Sequence, residues 1–191
     1  LNRDGLTDLL MSRNIDSSNG EVEIWINNRS DWNDETSLWN YPECKSGDIT
    51  LCVVSHTGAS NGVRLVDVNG DGLVDIVKAW TIPGESTNGY SGIWLGNGTA
   101  WSDVSINWTY PNCKSGDTDL CFLSPSYLDK GIRLVDINGD SLIDIVKARD
   151  VTSTEGESGI WLNNGTGWME TNTWNYPNCI TGDTEFCFVS L

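Results

Sequence analysis

Basic residues are scarce in this chain: 11 lysines and arginines stand against 27 aspartates and glutamates, for a net charge of −16. That argues against a nucleic-acid partner, whose phosphates call for a basic surface. Histidine occurs once, at His56, in a Ser-His-Thr-Gly-Ala stretch with no counterpart elsewhere, which reads as a surface loop. There is no Cys-x-x-Cys pair, nucleophile elbow, metalloprotease motif or phosphate loop, so the chain is expected not to be an enzyme. A carboxylate pair for glycoside cleavage needs no such motif, but it would be an odd thing to repeat three times. No apolar run reaches bilayer-spanning length, so no membrane span is expected in this segment, and no signal peptide is visible. Nor is there a sustained helical period.

What fills the sequence is repetition. Asp67-Val-Asn69-Gly-Asp71-Gly72-Leu73-Val-Asp75 recurs as Asp136-Ile-Asn138-Gly-Asp140-Ser141-Leu142-Ile-Asp144, and in shortened form as Asn2-Arg-Asp4-Gly5-Leu6-Thr-Asp8. The central aspartates Asp4, Asp71 and Asp140 stand 67 and 69 residues apart. Ile-Trp-Ile-Asn-Asn at 24–28 returns at 93–97 and 160–164. Tyr-Pro-x-Cys-x-x-Gly-Asp-x-x-x-Cys stands at 41–52, 110–121 and 176–187. A fixed period of this kind signals a repeat architecture. The expected units are 1–55, truncated at its start, 56–124 and 125–191. Because the chain opens inside one loop and stops after a Cys-Phe-Val-Ser strand, a longer array or fibre is expected. Short β-branched and aromatic runs between Asn, Gly, Ser and Asp clusters make the fold all-β.

The six cysteines fall into three pairs of equal spacing: Cys44/Cys52, Cys113/Cys121 and Cys179/Cys187. Repeated local pairs read as disulfides in an oxidising compartment. Zinc is the rival, but seven residues separate each pair and one histidine serves the whole chain. Each bridge is expected to pin the Gly-Asp turn between its cysteines. Four sequons, at Asn28, Asn97, Asn107 and Asn164, agree with a secreted glycoprotein at the cell surface or outside the cell. Three of them follow a Trp strand in register; Asn-Gly is also a hairpin signal, so turn formation alone accounts for the asparagines equally well.

The carboxylate loops suit calcium, a hard cation that takes six to eight oxygens. Asp67, Asn69, Asp71 and Asp75 offer side-chain oxygens at alternating positions, and the Leu73 carbonyl is the expected fifth ligand. Asp136, Asn138, Asp140, the Leu142 carbonyl and Asp144 form the second set; Asn2, Asp4, the Leu6 carbonyl and Asp8 form the third, which lacks a first ligand. An EF-hand would carry glutamate where Lys78 stands. The flanks Arg-Leu-Val and Leu-Val-Asp-Ile-Val read as strands, so the loop is a β-hairpin loop. Magnesium, which prefers rigid octahedral sites, suits it less. Ser141 replaces a glycine and is expected to strain or weaken its site. Three calcium ions would offset 6 of the 16 negative charges.

Arg-Leu-Val-Asp-x-Asn-Gly-Asp-Gly-Leu-x-Asp-Ile-Val, followed by Gly-Ile-Trp-Leu-Asn-Asn-Gly-Thr-Gly-Trp, resembles the FG-GAP (VCBS-type) repeats of integrin α heads, fungal integrin-like lectins, and toxin-complex and teneurin-like surface proteins. The resemblance implies tandem four-stranded antiparallel blades of β-propeller type, with calcium in the early hairpin of each. The 67–69-residue unit is longer than such a blade, and the Tyr-Pro-Cys loop is an addition to it. Three blades do not close a ring, so the alternative is a linear stack of the same units in a fibre.

Nine of the ten tryptophans fall in three registered sets: Trp25/94/161, Trp32/101/168 and Trp39/108/174. The first two sets are expected to form core between units. The third, with Tyr41, Tyr110 and Tyr176, is expected to be exposed and is where glycan ligands would stack. The favoured function is a non-catalytic extracellular calcium-binding repeat protein with a structural, assembly or adhesive role, whose partners are further copies of the repeat in the same or a neighbouring chain. A carbohydrate-binding propeller of lectin type and the propeller portion of a toxin-complex or surface scaffold are the alternatives.

Overall fold

The computed structural model describes residues 1–44, 50–82, 89–113, 120–152, 155–174, 176–177, 179 and 187–189. The Gly-Asp turns at 47–48, 116–117 and 182–183, which the cysteines were expected to pin, lie outside these residues. Among the described residues eleven strands form three antiparallel meanders. The first sheet holds β1 (Leu9–Asn14), β2 (Gly20–Asn27) and β3 (Trp32–Asp34). The second holds β4 (Val63–Val66), β5 (Asp75–Thr81), β6 (Gly89–Gly96) and β7 (Trp101–Asp103). The third repeats this order with β8 (Ile132–Val135), β9 (Asp144–Thr152), β10 (Glu155–Asn163) and β11 (Trp168–Glu170). Expectation and structure differ in the first sheet, which has three strands rather than four. The sequence begins within the carboxylate loop, beyond the place where Arg-Leu-Val stands in the other units. The expected four antiparallel strands are present in the second and third sheets, and no closed ring forms among the described strands.

The middle sheet is covered on both sides. Successive residues of a strand face opposite ways, and along β5 Ile76 joins a core with Ile24, Ile26, Val63, Trp94 and Trp101, whereas Val77 and Ala79 join another with Ile132, Ile145 and Trp168. Each core is therefore built from two neighbouring units. That is why β5 is buried at every position, Asp75, Lys78 and Thr81 included, whereas β3, which no further sheet among the described residues covers, is exposed throughout.

The cysteine loops close as disulfides Cys44–Cys52, Cys113–Cys121 and Cys179–Cys187, with Cα atoms 4.6, 4.7 and 5.0 Å apart. After each bridge the chain returns to its own sheet through a parallel contact: Val54 with Arg13, Leu123 with Trp80, Val189 with Arg149. The bridged cysteine lies against the start of the sheet's long strand at Gly20, Gly89 and Gly156, where any Cβ would run into the carbonyl of Cys44, Cys113 or Cys179. Among the described residues no helix is long and apolar enough to cross a membrane.

Candidate metal centre

The two complete carboxylate loops each connect two strands of one sheet, as the flanking sequence requires: residues 67–74 join β4 to β5, and 136–143 join β8 to β9. The loop folds around its first aspartate. Asp67 Oδ1 accepts the amides of Gly70 (2.8 Å) and Asp71 (3.2 Å), and its Oδ2 accepts that of Gly72 (2.7 Å). Asp71 accepts from Leu73 (2.8 Å) and Asp140 from Leu142 (2.8 Å). Asn69 and Asn138 bond Asp71 and Asp140 at 2.9 Å. The turn demands left-handed backbone at two positions. Gly70 and Gly72 adopt it at φ 74° and 84°, and in the third unit Ser141 is forced to 71°. A residue with a Cβ is disfavoured there, so the serine does carry the strain expected of it. The first loop places Arg3 in the same region, at φ 66°.

The last aspartate of each loop is a clamp. Asp75 accepts the amide of Val68 at the loop's start (2.9 Å) and of Gly96 at the end of β6 (2.7 Å). Asp144 accepts from Ile137 (3.1 Å) and Asn163 (2.8 Å), and Asp8 from Asn27 (2.9 Å). Asp75 and Asp144 are fully buried. Burial pushes the Asp75 carboxyl up to about 6 against the pull of its two amide bonds, and Asp71 and Asp67 push the same way. Asp144 is raised for the same reasons. Exposed Asp4, held by the Leu6 amide, is lowered.

The donor set fits a hard cation. Four side-chain oxygens and a carbonyl per complete loop are all oxygen, and a carboxylate oxygen that accepts one N–H retains a second lone pair. Among the described residues, however, no three acidic side chains converge on one point; Asp67 and Asp71 turn their oxygens onto the loop's own amides instead.

The structure adds what spacing could not: the three loops are neighbours. Gly70 abuts the Ser141 carbonyl of the next loop, and Gly72 abuts the side chain of Arg3 from the preceding one. Asn163, buried, ties two of them by donating to the Val68 carbonyl (2.7 Å) and the Ile143 carbonyl (3.1 Å). Sequence reasoning passed over this first asparagine of Asn-Asn in favour of the second. Its only signal was that the register reads Asn27, Gly96, Asn163. Fully buried Lys78 was also missed as a structural residue; its Nζ donates to the carbonyls of Thr50 (2.6 Å) and Asn61 (3.1 Å).

The sequon asparagines Asn28, Asn97, Asn107 and Asn164 are exposed. In the three registered turns the side-chain carbonyl shapes the loop, accepting from Ser30, Thr99 and Thr166 amides at 3.0 Å. Turn formation thus uses Oδ1, whereas a glycan would leave from Nδ2.

The third tryptophan set departs from expectation. Trp108 is buried and Trp39 half-buried, and only Trp174 is exposed. Trp39 and Tyr41 both lie 5.3 Å from Trp101 of the next unit; Trp108 and Tyr110 lie 5.9 and 5.5 Å from Trp168. The tyrosine hydroxyls are committed to the cysteine loops, Tyr41 to the Leu51 carbonyl and Tyr110 to that of Leu120, each at 2.8 Å. Burial raises Tyr41 to about 12. These rings are the mortar between units. His56 is exposed, as its sequence context implied.

Fold and site together define a class: tandem antiparallel β-sheets with a carboxylate hairpin loop, a disulfide-closed return loop and aromatic joints between units. No family model matches the chain, and no curated protein does. Among solved structures, it is similar to a chain of the Photorhabdus luminescens Tc holotoxin pore, with a TM-score of 0.51 and 22% identity. The match covers 94% of this chain and 7% of that one. At this identity the likeness is one of fold.

Proposed function

We propose that the chain is a non-catalytic, calcium-stiffened structural repeat of the extracellular space, FG-GAP-like in its loops. Its task is to hold β-sheet units in a rigid series. The observation that carries this is the abutment of three acidic loops. Eight aspartates gather along one edge, with Asp75 and Asp144 buried among them, and such a cluster calls for a cation. Asp67, Asn69, Asp71, Asp75 and the Leu73 carbonyl would hold one ion, and Asp136, Asn138, Asp140, Asp144 and the Leu142 carbonyl a second. The shortened first loop, with Asn2, Asp4, Asp8 and the Leu6 carbonyl, would bind more weakly. Bound calcium would neutralise the loops and lock the β4–β5 and β8–β9 hairpins. The disulfides fit an oxidising compartment, and the exposed sequons fit glycosylation there. A role within a larger toxin-type scaffold is the second reading, favoured by the fold shared with the Tc holotoxin pore. A lectin role is less favoured, because four of the six rings expected to stack on sugars, Trp39, Tyr41, Trp108 and Tyr110, are spent on neighbouring units.

Calorimetric titration and elemental analysis test the central claim. Calcium should bind and raise the melting temperature, since an ion held only by the folded state stabilises it by mass action. Asp71→Ala and Asp140→Ala should each lose one ion. Metal-free protein whose melting temperature calcium does not move would overturn the reading.

A further inference from the structure

Lysine and arginine together number 11 in this acidic chain, and two of the arginines meet in one place. Arg64 and Arg133 hold the same position in successive units, the first residue of Arg-Leu-Val before the carboxylate loop. Both line a cavity of about 360 Å³ to which β4 of the second sheet and β8 of the third contribute. None of the carboxylate-loop oxygens lines it.

Each guanidinium is mounted on an aromatic ring. Arg64 lies over Phe122, with Cζ 5.1 Å from the ring centre, and Arg133 over Phe188 at 5.2 Å. Each also commits the same nitrogen to its surroundings. Arg64 Nη1 donates to the Val63 carbonyl (3.0 Å) and the Ser60 hydroxyl (3.4 Å). Arg133 Nη1 donates to the Ile132 carbonyl (2.8 Å) and to both oxygens of Asp129 (3.1 and 3.0 Å). Among the described residues Nε and Nη2 of either arginine donate to no acceptor. Those two nitrogens form the edge of a guanidinium that grips a carboxylate with two parallel bonds. A ring beneath the plane holds it in place beforehand, so less freedom is lost on binding.

The charges around the cavity favour an anion. Asp129 pairs with Arg133, but the position it holds in the third unit belongs to Ser60 in the second. Arg64 therefore has a hydroxyl where Arg133 has a carboxylate. Burial works against the Arg64 charge; Asp129 offsets part of that, and Arg133 adds to it. The remaining walls are apolar: Leu65, Val66, Phe122, Ile132 and Leu134. A few charged groups among apolar walls, at this volume, are the make-up of a small-molecule site.

We propose that this cavity binds a small organic carboxylate, its anionic group on the Nε and Nη2 donors of Arg64 and Arg133 and its apolar body against the Phe122 and Leu134 walls. An inorganic oxyanion would satisfy the arginines but leave those walls in water. A polyanionic chain is opposed by the small volume and by the net charge of −16. The site goes beyond the structural-repeat reading and does not rest on it or on calcium.

Isothermal titration calorimetry of the 191-residue protein with sodium benzoate tests it. One benzoate should bind per chain, at least tenfold more tightly than benzyl alcohol, which lacks the charge, or sulfate, which lacks the apolar body. Arg64→Gln and Arg133→Gln should each weaken benzoate at least tenfold, because each removes a charge-assisted pair. Arg64→Lys, which keeps the charge but not the fork, should weaken it as well. Ser60→Asp guards against a folding defect, since it copies into the second unit the residue that the third already carries. It should leave the melting temperature no lower and abolish binding, by giving Arg64 a carboxylate of its own. No binding of benzoate at millimolar concentration would overturn the proposal. So would benzyl alcohol or sulfate binding as tightly as benzoate, or benzoate binding that Arg64→Gln or Ser60→Asp leaves unchanged.

Discussion

Trp32 and Trp168 occupy the same position in their units, and the structure says that removing them has very different consequences. Trp168 is 4% exposed, packs between Trp108 and Tyr110, and donates Nε1 to the Ile143 carbonyl at 2.7 Å. Trp168→Ala removes the buried indole and leaves a cavity at the joint, a class of change that costs about 3–5 kcal/mol. The lost ring contacts, each about 0.5–1.5 kcal/mol, place it toward the upper part of that range. Trp32 is 43% exposed, and its Nε1 contact with the Thr7 carbonyl is long at 3.3 Å. Trp32→Ala should cost about 1 kcal/mol. For a chain of this size each kcal/mol moves the midpoint by about 2–4 °C, so Trp168→Ala, at about 4–5 kcal/mol, should lower it by roughly 8–20 °C and Trp32→Ala by roughly 2–4 °C. Differential scanning calorimetry reads both. Equal losses would refute the argument that the preceding unit, and not the position in the repeat, confers the stability.

Gly89→Ala should be among the most damaging of small substitutions, because its Cβ would strike the Cys113 carbonyl beside the disulfide; a midpoint unchanged in urea would contradict that packing. Replacing Cys113 and Cys121 together by alanine opens a bridge with a sequence separation of 8, and equilibrium urea unfolding should show a loss of about 2–3 kcal/mol. Lys147, almost wholly buried, pairs with Glu157 at 2.6 Å, whereas the first unit carries Met11 at the lysine position. Glu157→Gln should therefore cost about 2 kcal/mol, and adding Lys147→Met should recover much of it. A double variant no better than the single one in thermal melts would count against the pair.

Much of this molecule was legible in its sequence, and for a common reason: the features concerned are local. The strands at Asp75–Thr81 and Asp144–Thr152 follow from β-branched runs, the hairpin loops from Asp, Asn and Gly at alternating positions, and the disulfides from paired spacing. Repetition strengthened each signal by showing it three times. The left-handed strain at Ser141 was readable for the same reason, because the other complete copy shows what the turn requires. Which surface meets which could not be read this way. Trp39, Trp108 and Trp174 are in one register and near-identical surroundings, yet one is half-buried, one buried and one exposed. The same holds for Trp32 beside Trp101 and Trp168. Nor did spacing reveal that three acidic loops share an edge, or that Asn163 bridges two of them across 95 residues of chain. Local pattern sets backbone conformation through sterics and hydrogen bonding within a few residues. Burial is set by whatever packs on the far side, and only the folded chain brings a second unit there to exclude the water.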